Sequence, residues 1–292
     1  IEGRDLNVLM KRCKDAAAKE KNEIVEILPA WFKVEDKICG NPVGMTAKRL
    51  EACYWVYGAS LSSLEDVRAM LAGVGIQEVE FYTLAGVFQA AMKEKGADSG
   101  NFAVLDLGAD HVQVTVLANG LVAHDVELPL GCRTIDRDID TAFSIHDVKK
   151  ARALKEEYGE ALRAACRSRK VMIPDTKFSI ECHDLSYVEQ CRLEELLEGA
   201  IFQIQQSGYY EELDGGVFLT GGGSRTNGID SLLKFLSGLQ VRQGRVMNMH
   251  AQEASKLSDP TLTVALGLLM CGHPVEEKQS KLKEVWGRWF KG

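Results

Sequence analysis

Three consecutive β-rich segments between residues 102 and 128 constrain the fold of this chain more than any other feature. Residues 102–107 form an almost continuous apolar run, residues 112–117 alternate apolar and polar positions, and residues 121–128 follow as a third segment. The dipeptide Asn119-Gly120 joins the last two segments and is typical of a tight hairpin turn. We therefore predict that the three segments form one meander of paired strands.

Helix and strand patterns alternate along the rest of the chain, which predicts the α/β class. Before the meander we expect helices at 5–20, 62–73 and 83–95 and strands at 23–35, 49–57 and 78–82, with Ser62-Ser63 as the N-cap of the second helix. After it we expect helices at 132–143, 146–162, 187–206, 228–238 and 261–270, a hairpin of 169–174 with 177–181, and strands at 217–220 and 240–246. A glycine-containing break at 96–100 separates the two regions.

Composition bounds the class of protein. With 292 residues, 46% of them hydrophobic, the chain can bury a large core in one large or two ordinary domains. A formal net charge of -7 argues against nucleic acid as the main partner. The eight cysteines form no C-x-x-C pair, so neither a zinc site nor a disulfide framework is indicated, and a reducing cytosol is the simplest interpretation. No apolar run approaches the ~20 residues that a bilayer span needs.

The C-terminal segment differs in character from the acidic body of the chain. An apolar stripe recurs at the spacing of one helix face and consists of Leu282, Val285, Trp286, Trp289 and Phe290. Basic side chains occupy the other faces, at Lys281, Lys283, Arg288 and Lys291. This combination is typical of a helix that lies in the interface of an anionic membrane. The alternative is a C-terminal helix docked on its own domain.

Two glycine-containing turns follow predicted strands. The segment Leu219-Thr-Gly-Gly-Gly-Ser224 ends an apolar strand, and glycines at such a junction let backbone amides approach an anionic ligand such as a phosphate. It is neither a G-x-x-x-x-G-K-[ST] loop nor the G-x-G-x-x-G of a Rossmann unit, so a plain tight turn is the alternative. The segment Asp106-Leu-Gly108 ends another strand and turns directly into the next one.

A strand that ends in Asp-x-Gly and turns straight into a second strand resembles the phosphate-binding hairpin of the actin-like ATPase superfamily. Within that superfamily, four segments resemble the FtsA family of bacterial cell-division proteins, and the C-terminal segment resembles the family's membrane-targeting helix. The four segments are Ile27-Leu-Pro-Ala-Trp-Phe-Lys-Val34, Asn41-Pro-Val-Gly-Met-Thr-Ala-Lys-Arg-Leu-Glu51, Leu154-Lys-Glu-Glu-Tyr-Gly159 and Val217-Phe-Leu-Thr-Gly-Gly-Gly-Ser224. The resemblance runs over nearly the whole chain.

The resemblance implies a domain organisation. Residues 5–80 would form the small α/β inserted domain that the family uses for self-association, and 81–100 a helix and connector from the first actin-like half. Residues 101–272 would form the second, ribonuclease H-like half of the actin fold, followed by a linker at 273–280 and an amphipathic membrane-targeting helix at 281–292. The half with the first phosphate loop would precede residue 1. The opening Ile1-Glu-Gly-Arg4 is either native or the remnant of a protease recognition sequence.

The resemblance also implies a site for ATP, with Mg²⁺ as a candidate cofactor. The positions that match the family's nucleotide site are Asp106, Gly108, Asp136, Lys155, Gly221, Gly222, Gly223 and Ser224. Asp106 and Asp136 would be carboxylates on the metal side of the site, or else turn and capping residues. No other metal site is expected, and no catalytic residue is assigned.

Several residues depart from the family's pattern at this site. Asp110 in the hairpin would face phosphate oxygens, which costs Coulomb energy in a cleft unless a cation intervenes. His111 and Gln113 stand where the family has a threonine and an aspartate. On the long helix, the family's charged residues near the adenine are replaced by Ala200, Phe202 and Gln203, of which Phe202 could still stack. We therefore expect weak or absent nucleotide binding and little hydrolysis.

By the same resemblance, the chain is expected to be a cytoplasmic scaffold, peripheral on the inner face of the cell membrane at the division site. It would tether FtsZ polymers by binding the C-terminal peptide of FtsZ, through a subdomain at about residues 146–246, and it would self-associate. The alternative from another class is an ATPase of the actin or chaperone type, in which hydrolysis drives a conformational cycle. A third interpretation is a pilus-assembly protein of the same fold.

Overall fold

The structure is a computed structural model that describes residues 1–18, 22–92, 100–166, 168–246 and 258–272. The predicted linker at 273–280 and the predicted membrane-binding helix at 281–292 lie outside these described residues. Within the described ranges, no helix is both long enough and apolar enough to cross a bilayer.

The N-terminal region is built on a three-stranded antiparallel sheet. Its elements are α1 (Gly3–Ala17), β1 (Glu23–Val34), β2 (Lys37–Cys39), β3 (Leu50–Ala59) and α2 (Leu61–Ala72). The strand order is β2-β1-β3, and the β1–β3 register is irregular beside Pro29, where a missing amide donor is tolerated. The predicted first helix and the two predicted long strands are thus confirmed.

Helix α2 begins earlier than the sequence pattern indicated. Its N-cap is Ser60, whose Oγ accepts a hydrogen bond from the Ser63 amide at 3.2 Å. The predicted cap, Ser62, lies inside the first helical turn, so that prediction is wrong by one half-turn. The cause is that three serines at 60, 62 and 63 offer equivalent hydroxyls, and sequence alone does not distinguish them.

The strand predicted at 78–82 does not form, although its apolar and acidic residues alternate. The side chains of this segment make other contacts. The Tyr82 hydroxyl donates to the carbonyl of Cys271 at 3.1 Å, and the Arg68 guanidinium lies 5.1 Å from the centre of the Phe81 ring. In this segment, the alternation of residue types therefore marks one packed side and one exposed side of an irregular stretch of chain.

The predicted meander is confirmed. After α3 (Leu84–Met92) the chain forms β4 (Phe102–Leu107), β5 (Val112–Ala118) and β6 (Leu121–Leu128). Strand β5 pairs antiparallel with both β4 and β6. In the turn between β5 and β6, Asn119 and Gly120 have φ values of 53° and 74°, the left-handed values that a two-residue hairpin of this type requires.

Three helices and a small hairpin follow the meander. They are α4 (Arg133–Ala142), α5 (Val148–Tyr158), β7 (Lys170–Met172) paired with β8 (Ser179–Glu181), and α6 (Cys182–Gln206). Helix α5 ends at Tyr158 and not at residue 162, because the next residue has an extended backbone with ψ of 142°. Helix α6 starts directly after β8 rather than at residue 187. The predicted hairpin is confirmed.

The remaining elements are β9 (Gly216–Thr220), α7 (Ile229–Ser237), β10 (Val241–Gln243) and α8 (Thr263–Cys271), with β10 shorter than predicted. The main sheet has the order β10-β9-β4-β5-β6, and β9 runs parallel to both β4 and β10. Asp106 pairs with Thr220 in this register, so the carboxyl ends of β4 and β9 are side by side. The turns after these two strands therefore meet at one edge of the sheet.

The main sheet is buried on both faces. Leu105 is fully buried in a cluster to which α4, α6 and α7 contribute, and Val104 is fully buried in a second cluster with α3 and Leu28 of β1. The second cluster joins the N-terminal sheet to the main sheet. A hydrogen bond from Trp55 Nε1 to the carbonyl of Val122, at 2.8 Å, adds a directional contact to the same junction.

Candidate functional site

A cavity of about 470 Å³ lies where β4 and β9 end, and we refer to it as the β4–β9 cavity. The turns that follow these two strands form part of its wall, and residues of α4 and α5 form another part. It has the size of a small-molecule site. Of the residues predicted for a nucleotide site, the structure brings five into this wall, namely Gly108, Asp136, Lys155, Gly222 and Gly223.

The turn after β4 is fixed by backbone hydrogen bonds to the start of α4. The amide of Gly108 donates to the carbonyl of His111 at 3.1 Å, which closes the turn. The amides of Cys132 and Arg133 donate to the carbonyls of Gly108 and Ala109, at 2.9 and 2.8 Å. These bonds hold the first turn of α4 against the hairpin and bring its side chains to the cavity.

The three glycines after β9 differ in the room that a side chain would have. Gly221 has a φ of 79°, and a Cβ there would overlap the carboxylate of Asp106. A Cβ on Gly223 would lie 2.5 Å from Sγ of Cys132. A Cβ on Gly222 would meet no atom within 4 Å. Gly222 is therefore the position at which the backbone is open to a ligand in the cavity.

A buried ion pair forms one side of the wall. Nζ of Lys155 on α5 lies 2.5 Å from Oδ1 of Asp136 on α4, and the two side chains are 15% and 5% exposed. The same Nζ donates to the carbonyl of Cys132 at 3.2 Å. Because Lys155 neutralises the carboxylate of Asp136, this residue offers less negative charge to a metal ion in the cavity.

A second buried carboxyl lies behind this wall and was not predicted. Glu189 on α6 is fully buried, and its Oε2 accepts a hydrogen bond from the Glu160 amide at 3.0 Å. Its Oε1 makes no hydrogen bond to the described residues. Burial raises the pKa of Glu189 to about 7, against the opposing effect of the Lys155 cation. Gly159 leaves the room for this carboxyl, since a Cβ there would lie 2.9 Å from Oε1.

Three arginines that the sequence analysis did not single out also line the cavity, and each is paired with a carboxylate. The pairs are Arg133 with Asp110 at 2.6 Å, Arg152 with Glu156 at 2.7 Å, and Arg225 with Asp259 at 2.5 Å. With Lys155, four cations line the cavity, and each is paired with a carboxylate that either lines it, as Asp136 and Glu156 do, or lies behind its wall, as Asp110 and Asp259 do. A phosphate that enters must compete with a carboxylate for each cation. Only the i,i+4 spacing of the second pair is visible in the sequence.

Three of the predicted residues lie beside the cavity and not in its wall. Asp106 contacts Gly221, and burial raises the pKa of its carboxyl, an effect opposed by the neighbouring Thr220 hydroxyl. The Ser224 hydroxyl donates to the carbonyl of Gly221 at 2.7 Å. The structure thus shows Asp106, Gly221 and Ser224 shaping the turn after β9 rather than facing the cavity.

The residues that depart from the family's hairpin do not line the cavity either. Asp110 is neutralised by Arg133, the intervening cation that the sequence argument required. Gln113 belongs to a polar cluster, here called the Asp125 cluster, centred on a carboxylate of β6. Oδ1 of Asp125 accepts from Nε2 of Gln113 at 2.7 Å and from the hydroxyl of Thr115 at 2.6 Å, and Oδ2 accepts from the Tyr57 hydroxyl at 2.9 Å.

The positions that match the family's adenine contacts, residues 200–203, lie away from the β4–β9 cavity. Ala200 is buried in the core, Phe202 is 54% exposed on the surface, and Oε1 of Gln203 lies 3.3 Å from Nε2 of His124. None of them lines the β4–β9 cavity. Because α6 starts at Cys182, its earlier part approaches the cavity, at Glu189, and the later part does not.

A larger cavity, of about 1050 Å³, lies at the opposite end of the main sheet. Its wall carries the carboxylates of Glu211, Glu212 and Asp214, and none of the described residues that line it is a lysine or arginine. A wall with negative charge alone disfavours a phosphate. The β4–β9 cavity is therefore the better candidate for an anionic ligand despite its smaller volume.

Comparison with known proteins identifies two matching family models. One, described as cell division protein FtsA, matches residues 103–267, and the other, described as the SHS2 domain inserted in FTSA, matches residues 1–57. The cell division protein FtsA of Borreliella burgdorferi is 28% identical over 295 residues, which cover 98% of this chain and 70% of the relative. That of Helicobacter pylori strain J99 is 26% identical over 290 residues, covering 92% of this chain but only 57% of the relative.

Solved structures match the fold at low sequence identity. A chain of the PilM–PilN type IV pilus biogenesis complex aligns with a TM-score of 0.63 and 19% identity, over 90% of this chain and 74% of its own length. MreB 5 of Spiroplasma citri bound to AMPPNP aligns with a TM-score of 0.57 and 12% identity, over 91% and 92% of the two chains. Both are actin-like proteins, so the predicted actin-like α/β fold is confirmed.

Proposed function

This chain belongs to the FtsA family of cell division proteins, and on that premise we propose that it is a scaffold that tethers FtsZ polymers to the cytoplasmic membrane. The match of residues 103–267 to the family model is the observation that carries the proposal. The scaffold binds the C-terminal peptide of FtsZ through the subdomain at about 146–246 and self-associates through the N-terminal sheet. It acts at the division site, on the inner face of the membrane.

The proposed ligand of the β4–β9 cavity is a nucleotide that serves a structural or regulatory role. Three features support it: the size of the cavity, the open backbone at Gly222, and the cations Arg133 and Lys155 in its wall. ATP would place its phosphates against the turns after β4 and β9, where backbone amides and cations favour negative charge. A magnesium ion fits this wall poorly, because Lys155 occupies Asp136 and Asp106 lies beside Gly221.

We expect this binding to be weak and hydrolysis to be slow. Each cation at the cavity is already paired with a carboxylate, so the phosphates gain only the difference between two similar interactions. A structural or regulatory nucleotide needs no turnover. This distinguishes the proposal from an ATPase of the actin or chaperone type, which requires tight magnesium–nucleotide binding and repeated hydrolysis.

Membrane attachment is proposed for the helix at 281–292, on its sequence alone. Complete burial of one Leu, Val or Phe side chain stabilises by ~1.5–3 kcal/mol, but insertion at an interface is partial and ordering the helix costs entropy. One tail is therefore a weak anchor. Several tails held together by a polymer bind far more strongly than one, because each binding event raises the effective concentration of the next.

Co-sedimentation with lipid vesicles tests the tether directly. The full chain, FtsZ from the same organism and vesicles with anionic lipid are mixed and centrifuged. FtsZ should sediment with the vesicles only when the chain is present, and should remain in solution when either its own C-terminal peptide or residues 281–292 of the chain are deleted. Sedimentation of FtsZ that survives both deletions would contradict the tether.

A further inference from the structure

Two cysteines lie in contact at the start of α6, beside the C-terminal end of α5. Cys166 follows a short 3₁₀ turn at Arg163–Ala165, and Cys182 is the first residue of α6. Their Sγ atoms are 2.9 Å apart, and no disulfide bond joins them. We refer to them as the dithiol pair.

The hairpin between the two cysteines explains why they meet. Strands β7 and β8 pair antiparallel, which folds residues 170–181 back on themselves. The amide of Cys182 then donates to the carbonyl of Arg169 at 2.8 Å, which fixes the start of α6 beside the chain that follows Cys166. Two sulfurs at 2.9 Å need to approach by roughly 1 Å to reach the ~2.05 Å of a disulfide bond.

The two thiols differ in their access to solvent. Cys166 is partly exposed, whereas Cys182 is 1% exposed. Both line a cavity of about 320 Å³, together with Arg169. Burial and the neighbouring Cys182 raise the pKa of the Cys166 thiol, and the Arg169 cation opposes that rise. An incoming oxidant therefore meets Cys166 first, and because the pKa of this thiol is raised, its thiolate becomes more populated as the pH rises.

We propose that Cys166 and Cys182 are an oxidation site at which a hydroperoxide converts the two thiols into an intramolecular disulfide. The Cys166 thiolate attacks one peroxide oxygen, so that an S–O bond forms, the O–O bond breaks, and hydroxide (for hydrogen peroxide) leaves. Cys182 sulfur then attacks the Cys166 sulfur of the sulfenic acid, and the S–S bond forms as the S–O bond breaks. The two thiol protons and two hydroxides become two water molecules, and the pair loses two electrons to one peroxide.

The bond would lie in the wall of the dithiol cavity, which adjoins the β4–β9 cavity. It closes residues 166–182 into a covalent loop that contains the β7–β8 hairpin. Gly159 and Asn227 line both the dithiol cavity and the β4–β9 cavity. The inference rests only on the contact between the two sulfurs, and it is independent of FtsZ, membrane or nucleotide binding.

Thiol counting with peptide mapping tests the site on the full reduced chain. After treatment with hydrogen peroxide at about one equivalent, the titratable thiols should fall from eight to six, since the chain has eight cysteines and the bond consumes two. The mass should fall by about 2 Da for the two hydrogens removed, and digestion should yield a peptide that joins Cys166 to Cys182. Raising the pH above neutral should speed the loss, because it increases the thiolate fraction of Cys166.

Variants distinguish this site from general oxidation. In Cys182→Ser, oxidation should stop at the sulfenic acid of Cys166, which a dimedone probe traps. Cys166→Ser should retain all of its remaining thiols at the same peroxide dose. Cys191→Ser, at an exposed cysteine of the same helix, is the matched control and should still lose two thiols. The proposal is overturned if the linked peptides join Cys13 to Cys53, if the bond is intermolecular, or if Cys166→Ser loses two thiols as the parent does.

Discussion

Nη1 of Arg133 lies 2.6 Å from Oδ1 of Asp110, so the first turn of α4 neutralises the carboxylate in the hairpin after β4. Backbone hydrogen bonds between the same two segments hold this pair in place. Both side chains are about half exposed, at 48% and 50%, so water screens the pair and it remains open to competition. The pair removes most of the repulsion that Asp110 would exert on an anionic ligand, and it also occupies the cation that such a ligand would use.

Asp110→Asn should therefore strengthen nucleotide binding. The change frees Arg133, and for a half-exposed charge we expect a gain of about 2–5-fold in affinity, which corresponds to the ~0.5–1 kcal/mol of such a pair. Titration calorimetry with ATP measures it, and the gain should shrink as salt is added. Asp175→Asn removes the same charge from an exposed position outside the cavity wall and should leave the affinity unchanged. Equal effects of the two variants would show that net charge, and not the pair, governs binding.

Gly222→Val should abolish nucleotide binding without destabilising the fold. A Cβ at Gly222 meets no atom within 4 Å, so the side chain fits the folded chain, but it fills the space that a ligand needs beside the backbone. Calorimetry reports the binding and thermal unfolding reports the fold. Gly223→Ala is the contrasting variant, because its Cβ would lie 2.5 Å from Sγ of Cys132 and should cost about 1–3 kcal/mol of stability by overpacking. Normal nucleotide affinity in Gly222→Val would remove the cavity as the site.

Glu189→Gln should stabilise the chain at alkaline pH and have less effect at acid pH. Burial raises the pKa of Glu189 from 4.5 to about 7, so between these values the folded state binds more protons than the unfolded state. The stability of the parent therefore falls as pH rises from 4.5 to about 7, and stays lower above it. Glutamine keeps an oxygen for the Glu160 amide and carries no charge. We expect a gain of about 1–3 kcal/mol at pH 8 that shrinks toward pH 5.

Urea unfolding at pH 5, 6.5 and 8 measures this difference. Glu198→Gln changes an exposed carboxylate on the same helix and is the control. Its free energy of unfolding should differ from that of the parent by the same small amount at every pH. A gain from Glu189→Gln that does not depend on pH would mean that packing, and not charge burial, sets the effect.

Trp289→Glu should release the chain from vesicles of any composition, because it places a charge in the middle of the predicted apolar stripe of the C-terminal helix. Lys283→Glu should weaken attachment mainly to anionic vesicles, and its effect should diminish at high salt. Vesicle co-sedimentation separates the two cases. If Trp289→Glu sediments with the vesicles as well as the parent does, the helix is not the membrane anchor. A C-terminal helix docked on its own domain then becomes the better interpretation.

The meander could be predicted because its signals are local. The Asn119-Gly120 turn and the alternation of the flanking strands lie within one short stretch, and the structure confirms each of them. The strand predicted at 78–82 failed for the opposite reason. Its alternation depends on what the segment meets in space, and there Tyr82 contacts Cys271, which lies 189 residues further along the chain. A pattern of period two indicates which side is packed, but not that a partner strand exists.

The sequence predicted the glycine turn that forms part of the candidate site, but it did not predict the ion pairs around the cavity. Glycines after a strand carry a recognisable local pattern, and Gly222 indeed opens into the cavity. The pairs of Lys155 with Asp136 and of Arg133 with Asp110 join different elements, so no spacing in the sequence reveals them. Glu189 was missed because a buried glutamate on a long helix looks like any solvent-facing one until its neighbours are known.

The Asp125 cluster connects the N-terminal sheet to the strand that follows the turn after β4. Tyr57 of β3 holds one oxygen of Asp125, and Gln113 and Thr115 of β5 hold the other. Gln113 stands two positions after His111, whose carbonyl closes the turn at the cavity. Together with the apolar cluster that holds Leu28 and Val122, the Asp125 carboxylate therefore connects the N-terminal sheet to β5, the strand that begins beside the turn at the β4–β9 cavity.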